Sequence, residues 1–175
     1  MTRIKSVINQ IKDFAKEDFP VSKVSHYLKN VKINQEELKK YIFYKKKRYT
    51  RNLIHREEDF ELMIICWAPN ISAPVHGHEG EKCWAKVLDG QLQICNYTQI
   101  SENPLEIKLL KEIPCEPGYL DGPADIHSVE NLSKNFAMSL HVYAKPYDAC
   151  DIYNLEQQTV KRSRLGYYSI NGIVC

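Results

Sequence analysis

Three histidines carry the first chemical signal. His76 and His78 stand two residues apart, and His127 closes the run Gly122-Pro123-Ala124-Asp125-Ile126 that leads into an apolar segment. On a strand, residues i and i+2 share a face. His76 and His78 would therefore form a chelating pair once His127 arrived from a neighbouring strand. Three neutral imidazoles with open coordination positions suit a divalent first-row metal. The same spacing also fits a surface or structural pair, so spacing alone leaves both readings open. Arg51 poses a similar choice: a guanidinium suits bidentate recognition of a carboxylate, yet this one could simply extend the basic run Lys45-Lys46-Lys47-Arg48. Ser139, His141 and Tyr143 alternate, so a strand would turn all three to one side. An ordinary strand with one buried aromatic has the same pattern.

The elements that must position these residues follow from period and punctuation. Ile4, Val7, Ile8, Ile11 and Phe14 recur at helix spacing, and a short helix follows Pro20. Asn34 is placed to cap a third helix, with Glu37 at the N3 position of a capping box. Leu38, Tyr41, Ile42 and Lys45 continue its period to the basic run, whose cations would complement the helix C-terminus. Nucleic-acid binding is the other reading of that run. From Tyr49 onward the pattern changes to short strands: 60–68 reads as a buried strand, and 82–88 and 91–97 flank the hairpin signal Asp89-Gly90. Residues 107–113, 136–144 and a segment after Asp151 add more, with Pro and Gly between them. The pattern predicts a mainly β body over 49–175, an antiparallel sandwich or barrel, capped by helices over 1–48.

Bulk properties agree with one domain over 1–175. The chain is 43% hydrophobic and 26% charged, close to globular averages, which excludes a disordered tail, a collagen-like repeat and a disulfide mini-scaffold. A net charge of +2 advertises no polyanionic partner. The longest apolar run, 62–68, falls far short of the roughly 20 residues of a membrane-spanning helix. The first residues enter an amphipathic pattern rather than an apolar signal core. Six cysteines (66, 83, 95, 115, 150 and 175) with no Cys-x-x-Cys pair read as free thiols. The expectation is a cytoplasmic monomer with no nucleic-acid or membrane partner.

The order of the motifs narrows the reading. Tyr49-Thr50-Arg51-Asn52-Leu53, Cys66-Trp67, His76-x-His78 followed by Cys83 and Gly90, His127-x-Val129-Glu130-Asn131 and Ser139-Leu140-His141-Val142-Tyr143 occur in sequence. Together they resemble the cysteine dioxygenase family of the cupin superfamily, and the resemblance continues through Pro146-Tyr147-Asp148-x-Cys150. It implies a small β-barrel holding Fe(II) on His76, His78 and His127. L-Cysteine would bind the metal through thiolate and amine, with its carboxylate on Arg51 beside Tyr49, and both atoms of O2 would end on sulfur as cysteine sulfinic acid. The resemblance also implies a Ser139–His141–Tyr143 relay, a thioether between Cys83 and Tyr143, and a pocket wall at Trp67. Core packing explains Trp67 equally well, and Cys150, which matches a cysteine near the pocket mouth, reads equally as an inert thiol.

Several positions depart from the wider pattern. Cys83 stands where most cupins have a carboxylate ligand, and Gly122 and Ala124 stand where Pro and Gly are usual. Ala144-Lys145-Pro146 replaces the family's Ser-Pro-Pro, whose cis bond shapes the pocket. A third histidine in place of a carboxylate leaves the site one unit more positive, which favours an anionic ligand such as a thiolate. A 3-mercaptopropionate dioxygenase is the nearest alternative, although such relatives generally lack the arginine and cysteine matched by Arg51 and Cys83. A non-catalytic metal-binding cupin would not need the Tyr49–Arg51 pair or the Ser139-His141-Tyr143 row.

Overall fold

The computed structural model describes residues 1–175. Its helical part comprises α1 (Ile4–Lys16), α2 (Val21–Asn30) and α3 (Gln35–Leu38), the last running into a 3-10 turn at Lys39–Tyr41. The strands are β1 (Thr50–Arg56), β2 (Phe60–Trp67), β3 (Ile71–His76), β4 (Cys83–Asp89), β5 (Leu92–Glu102), β6 (Leu105–Cys115) and β7 (Leu120–Ala124). They continue with β8 (Ile126–Asn131), β9 (Ala137–Ala144), β10 (Ala149–Asn154), β11 (Thr159–Arg164), β12 (Ser169–Ile170) and β13 (Ile173–Val174). Two sheets result, ordered β13-β12-β1-β2-β9-β4-β7 and β11-β10-β3-β8-β5-β6. Only β1 and β12 pair in parallel. This is the mainly β, cupin-type barrel with N-terminal helices that the sequence predicts.

The first sheet is buried on both faces, which explains why β2 reads as an unbroken apolar run. Phe60, Leu62, Ile64 and Cys66 pack with Val7, Ile11, Phe14, Val24 and Leu28 of the helices. Met63, Ile65 and Trp67 point the other way, into a second core shared with Ala73, Leu92, Ile94 and Val129 of the opposite sheet. Strand β9 divides likewise: Met138, Leu140 and Val142 meet the helices, while Ala137 and Tyr143 face the barrel interior. The period of two thus fixes which side chains can reach a cavity between the sheets.

Three local expectations are corrected. The strands flanking Asp89-Gly90 do not form a hairpin: β4 pairs with β7 and β9, whereas β5 pairs with β6 and β8. Gly90 instead carries the chain between sheets past Phe136 and Ala137, where a Cβ would meet Phe136 O at 2.6 Å. The third helix stops at Tyr41 rather than reaching the basic run. Aromatic pairing draws the following residues onto the barrel, with Phe43 5.8 Å from Tyr168 and Tyr44 4.5 Å from Phe136; tertiary contact overrides helix propensity. Lys45 and Arg48 consequently stand over the Tyr168 ring instead of ending a helix. The capping box is also redistributed: Asn34 Oδ1 accepts from Glu36 N–H at 3.1 Å, while Glu37 Oε2 accepts from Ile4 N–H at 2.8 Å and so caps α1.

Lys86, on the helix-facing side of β4, ties the cap to the barrel. Its buried ammonium donates to the carbonyls of Leu28, Lys29 and Val31 at 2.8–3.0 Å, where α2 leaves its last carbonyls without helical partners. Lys86→Met should lower stability by about 2–3 kcal/mol, because these carbonyls lose charge-assisted bonds. Urea unfolding measures this, and an unchanged midpoint would contradict the role.

Candidate active site

Each histidine is delivered by a different local device. His76, the last residue of β3, lies directly across from His127 of β8 in antiparallel register. His78 is not on the strand, contrary to the simple i, i+2 expectation. The chain turns after His76, and Asp125 fixes His78, its carboxylate accepting the His78 N–H at 3.2 Å. The outcome is nevertheless a cluster: the three rings have centroids 4.5–5.0 Å apart, and one ligand nitrogen from each lies within 4.8 Å of the others.

Oxygen atoms behind the rings set which nitrogen faces inward. His76 Nδ1 lies 2.8 Å from Pro74 O, and His78 Nδ1 contacts Asp125 O. A carbonyl can only accept, so both rings carry the proton on Nδ1 and keep the Nε2 lone pair free. His127 Nδ1 faces Asp121 Oδ2 at 3.9 Å, beyond hydrogen-bond reach, while Asn96 donates to the other oxygen of Asp121 at 3.0 Å. Burial pushes His76 down to about 3, with the neighbouring His127 adding to the effect. Burial likewise drives His78 well below its ordinary value. His76 and His78 thus offer neutral nitrogens oriented from behind and held free of protons, and with His127 they make a donor set that fits a divalent metal.

A small cavity of about 40 Å³ adjoins the cluster, lined among others by Tyr49, Arg51, Trp67, His76, His127 and Tyr143. That is room for about three ordered waters, which suits a compact ligand. Arg51 enters from β1 and is buried; its Nη1 donates to Gly166 O at 3.3 Å, and its guanidinium lies 5.2 Å from the Tyr167 ring. Burial opposes its charge, but Tyr143, Tyr147 and Glu61 more than offset this and its pKa is raised. The Tyr49 and Trp67 rings pack in a tilted pair with centroids 5.1 Å apart. Cys150, also buried, lines the cavity, and burial raises its thiol pKa.

The alternating row on β9 forms one chain of hydrogen bonds. Trp67 Nε1–H donates to Ser139 Oγ at 2.9 Å, Ser139 Oγ lies 2.8 Å from His141 Nε2, and His141 Nδ1 lies 3.2 Å from the Tyr143 hydroxyl. Trp67 Nε1–H can only donate, so the acceptor available to the Ser139 proton is His141 Nε2. A neutral ring that accepts at Nε2 carries its single proton on Nδ1, donating to the Tyr143 oxygen and leaving the phenol proton free to meet a ligand. Burial lowers His141 well below its ordinary value, keeping the ring neutral, and burial with the nearby Cys83 raises Tyr143. Cys83 and Tyr143 are directly opposed across β4 and β9. Gly122 makes this packing possible, since a Cβ there would meet Cys83 O at 2.3 Å. In the Ala144-Lys145-Pro146 segment Lys145 adopts φ 85°, and the Lys145–Pro146 bond is trans.

Sequence reasoning missed Glu61, Asp121 and the 165–167 segment. Glu61 is fully buried yet is the one charged residue in β2. A charge at an inward position of an otherwise apolar strand was the available signal. Arg56 meets its Oε1 at 2.9 Å and the Tyr167 hydroxyl donates to the same oxygen. Burial raises the Glu61 pKa, opposed by Tyr167 and both arginines.

The fold and site define a cupin-type barrel with a three-histidine group able to hold a metal beside a buried arginine. Comparison with known proteins gives the particular family. The family model described as Cysteine dioxygenase type I matches residues 2–156. Cysteine dioxygenase type 1 of Bos taurus is 30% identical over 166 residues, covering 91% of this chain and 80% of that protein. The Danio rerio protein of the same name is 29% identical over 149 residues, covering 81% and 73%. The solved structure of TT1209 from Thermus thermophilus shares the fold, with 21% identity and a TM-score of 0.51 over 62% of this chain and 93% of that one. The chain belongs to the cysteine dioxygenase type I family. No helix in it is long and apolar enough to cross a membrane.

Burial of the histidines has a sign that can be tested. His78 and His141 have folded-state pKa values well below 6.5. As pH falls through 6.5, the unfolded chain gains protons that the folded chain refuses. Stability of the protein prepared without metal should therefore fall from about pH 6.5 downward, by up to ~1.4 kcal/mol per pH unit for each imidazole. Urea midpoints at pH 7.5 and 5.5 report it; a midpoint that rises on acidification would refute the neutral, buried assignment.

Proposed function

We propose that this chain is an Fe(II)-dependent dioxygenase that converts L-cysteine and O2 to cysteine sulfinic acid. One observation carries the reading. The buried side-chain polar atoms left without a hydrogen-bond partner are Arg51 Nη2, Glu61 Oε2, His78 Nε2, Asn96 Oδ1, Asp121 Oδ2 and His127 Nδ1. All belong to the cavity wall or to the groups that back it. Unpaired buried groups are costly; a metal on His78 Nε2 and an anion on Arg51 Nη2 would complete the two that belong to the histidine cluster and the cavity wall, and this supports a site for both. Bound to His76, His78 and His127, Fe(II) would supply the acidity that deprotonates a thiol and the redox activity that brings O2 to sulfur. The overall change is balanced without another co-reactant: a thiol plus O2 gives a sulfinic acid.

The chain's own residues orient the substrate. Arg51 takes the carboxylate on its unpaired Nη2 edge, with Tyr49 and Trp67 closing the adjacent wall. His141 holds the Tyr143 hydroxyl in place so that its proton faces the ligand, and Ser139 fixes the tautomer of His141. A group positioned before substrate arrives needs no reorganisation during turnover. Cys83 and Tyr143 join as a thioether, a step that releases two electrons and two protons, with O2 as acceptor. All of these groups come from one chain, which fits a monomer, and six unpaired cysteines fit a reducing compartment such as the cytoplasm.

The activity is tested by oxygen uptake of the iron-loaded protein with L-cysteine, 3-mercaptopropionate and cysteamine in turn, with products identified by mass spectrometry. Cysteine sulfinate formed in step with O2, with L-cysteine preferred, is the expected result. Preference for 3-mercaptopropionate would overturn the substrate assignment, and no turnover of any thiol would favour a binding cupin.

Arg51→Ala should raise the KM for cysteine by at least about tenfold, the scale of one lost charge-assisted hydrogen bond, with iron content unchanged. Loss of iron instead would mean that Arg51 is structural. Cys83→Gly should abolish the thioether mass signature yet retain activity. Complete inactivity of a folded, iron-loaded Cys83→Gly would show that the crosslink is essential rather than auxiliary.

A further inference from the structure

The strongest unused feature is the buried carboxylate of Glu61. It does not line the cavity, so it cannot touch substrate. Its two oxygens are treated differently. Oε1 is saturated by Arg56 at 2.9 Å and by the Tyr167 hydroxyl. Oε2 has no hydrogen-bond partner and faces Arg51 Nη2, itself buried and unpartnered, at 3.8 Å. At that distance the pair attracts through a poorly solvated interior without forming a hydrogen bond, so the Nη2 edge remains available to another acceptor.

Tyr167 links the two groups a second time. Its hydroxyl is held between Glu61 and Arg56, the latter donating at 2.7 Å, while its ring lies 5.2 Å from the Arg51 guanidinium. The neighbouring Gly166 carbonyl accepts a hydrogen bond from Arg51 Nη1–H. Tyr168 N–H donates to Arg51 O at 2.8 Å, which fastens this segment along β1. Residues 166–168 lie outside the 2–156 span matched by the family model. Arg51 is thus braced by Gly166 at one nitrogen, by Tyr167 at its face and by Glu61 beside the other nitrogen.

We propose that Glu61 is the positioning residue for Arg51: directly and through Tyr167, it holds the guanidinium with one edge toward the cavity and so sets the affinity for carboxylate-bearing thiols. This rests on Arg51 being the carboxylate anchor. Glu61→Gln keeps the shape but puts an amide N–H against a donor, either on Arg51 or on the Arg56–Tyr167 side, and so displaces the brace.

The test is steady-state kinetics with L-cysteine on iron-loaded wild type, Glu61→Gln, Arg51→Ala and the double variant, with iron content and Tm measured alongside. Glu61→Gln should raise KM about tenfold, the scale of one charge-assisted contact, with kcat within about twofold. In the Arg51→Ala background it should change kcat/KM by less than about twofold, because its effect passes through the missing side chain. An unchanged KM, or an equal loss in both backgrounds, would overturn the proposal. Unchanged KM in Arg51→Ala would remove the anchor itself and this proposal with it; a raised KM there beside an unaffected Glu61→Gln would overturn only the role of Glu61. If Glu61→Gln does not fold, Tyr167→Phe keeps the ring beside Arg51 and removes its tie to Glu61; KM should rise at constant kcat, and an unmoved KM would count against the proposal.

Discussion

A buried imidazole can ligate a metal only while it is neutral and its lone pair faces the ion, so the orientation of the three rings has to be set from behind. Pro74 O and Asp125 O perform this for His76 and His78. Those acceptors are backbone atoms, so for these two rings the geometry depends on the path of the chain, whereas His127 has the Asp121 side chain behind it. The turn after β3 and the β3–β8 register are therefore part of the site as directly as the histidines are. Burial reinforces the orientation by making protonation unfavourable, which leaves the nitrogens available below the pH at which free histidine would charge.

The remaining machinery follows from a sheet covered on both faces. Because the helices bury one side of β1, β2, β9 and β4, the other side can be given over to function without exposing the strands. Arg51, Trp67, Ser139, His141, Tyr143 and Cys83 all take inward positions on that sheet, and His76 and His127 approach from the opposite one, with His78 on the turn after His76. Two charged pairs inside this enclosure stop short of contact: Arg51 with Glu61 at 3.8 Å and His127 with Asp121 at 3.9 Å. In each, an acid stands behind a group that faces the cavity, an arrangement that orients the front group while leaving its working edge unspent.

Much of this was legible in the sequence, for reasons that differ by residue. Ser139, His141 and Tyr143 could be read from strand period, because alternation alone puts them on one face. The three histidines could be read from residue type and motif order, although the expectation that His78 shares a strand face with His76 did not hold. Asp89-Gly90 misled because glycine serves any tight, left-handed turn, whether it closes a hairpin or passes between sheets. The third helix was overextended because its period ignores the aromatic pairing of Phe43 and Tyr44 with the barrel. Glu61 carried a signal in its position within β2, but its partners, Arg51, Arg56 and Tyr167, span residues 51–167, and no local pattern joins them. The parallel pairing of β1 with β12, which brings Gly166 and Tyr167 to Arg51, is equally non-local.

The three histidine nitrogens and the arginine beside them are proposed to form one site for a metal and a thiol. X-ray absorption of the anaerobically Fe(II)-loaded protein, before and after addition of L-cysteine, tests it most directly. Three imidazole ligands without a protein carboxylate are expected, with a sulfur ligand that appears on addition of L-cysteine. A carboxylate in the ligand set, fewer than three imidazoles, or a spectrum that L-cysteine leaves unchanged would contradict it.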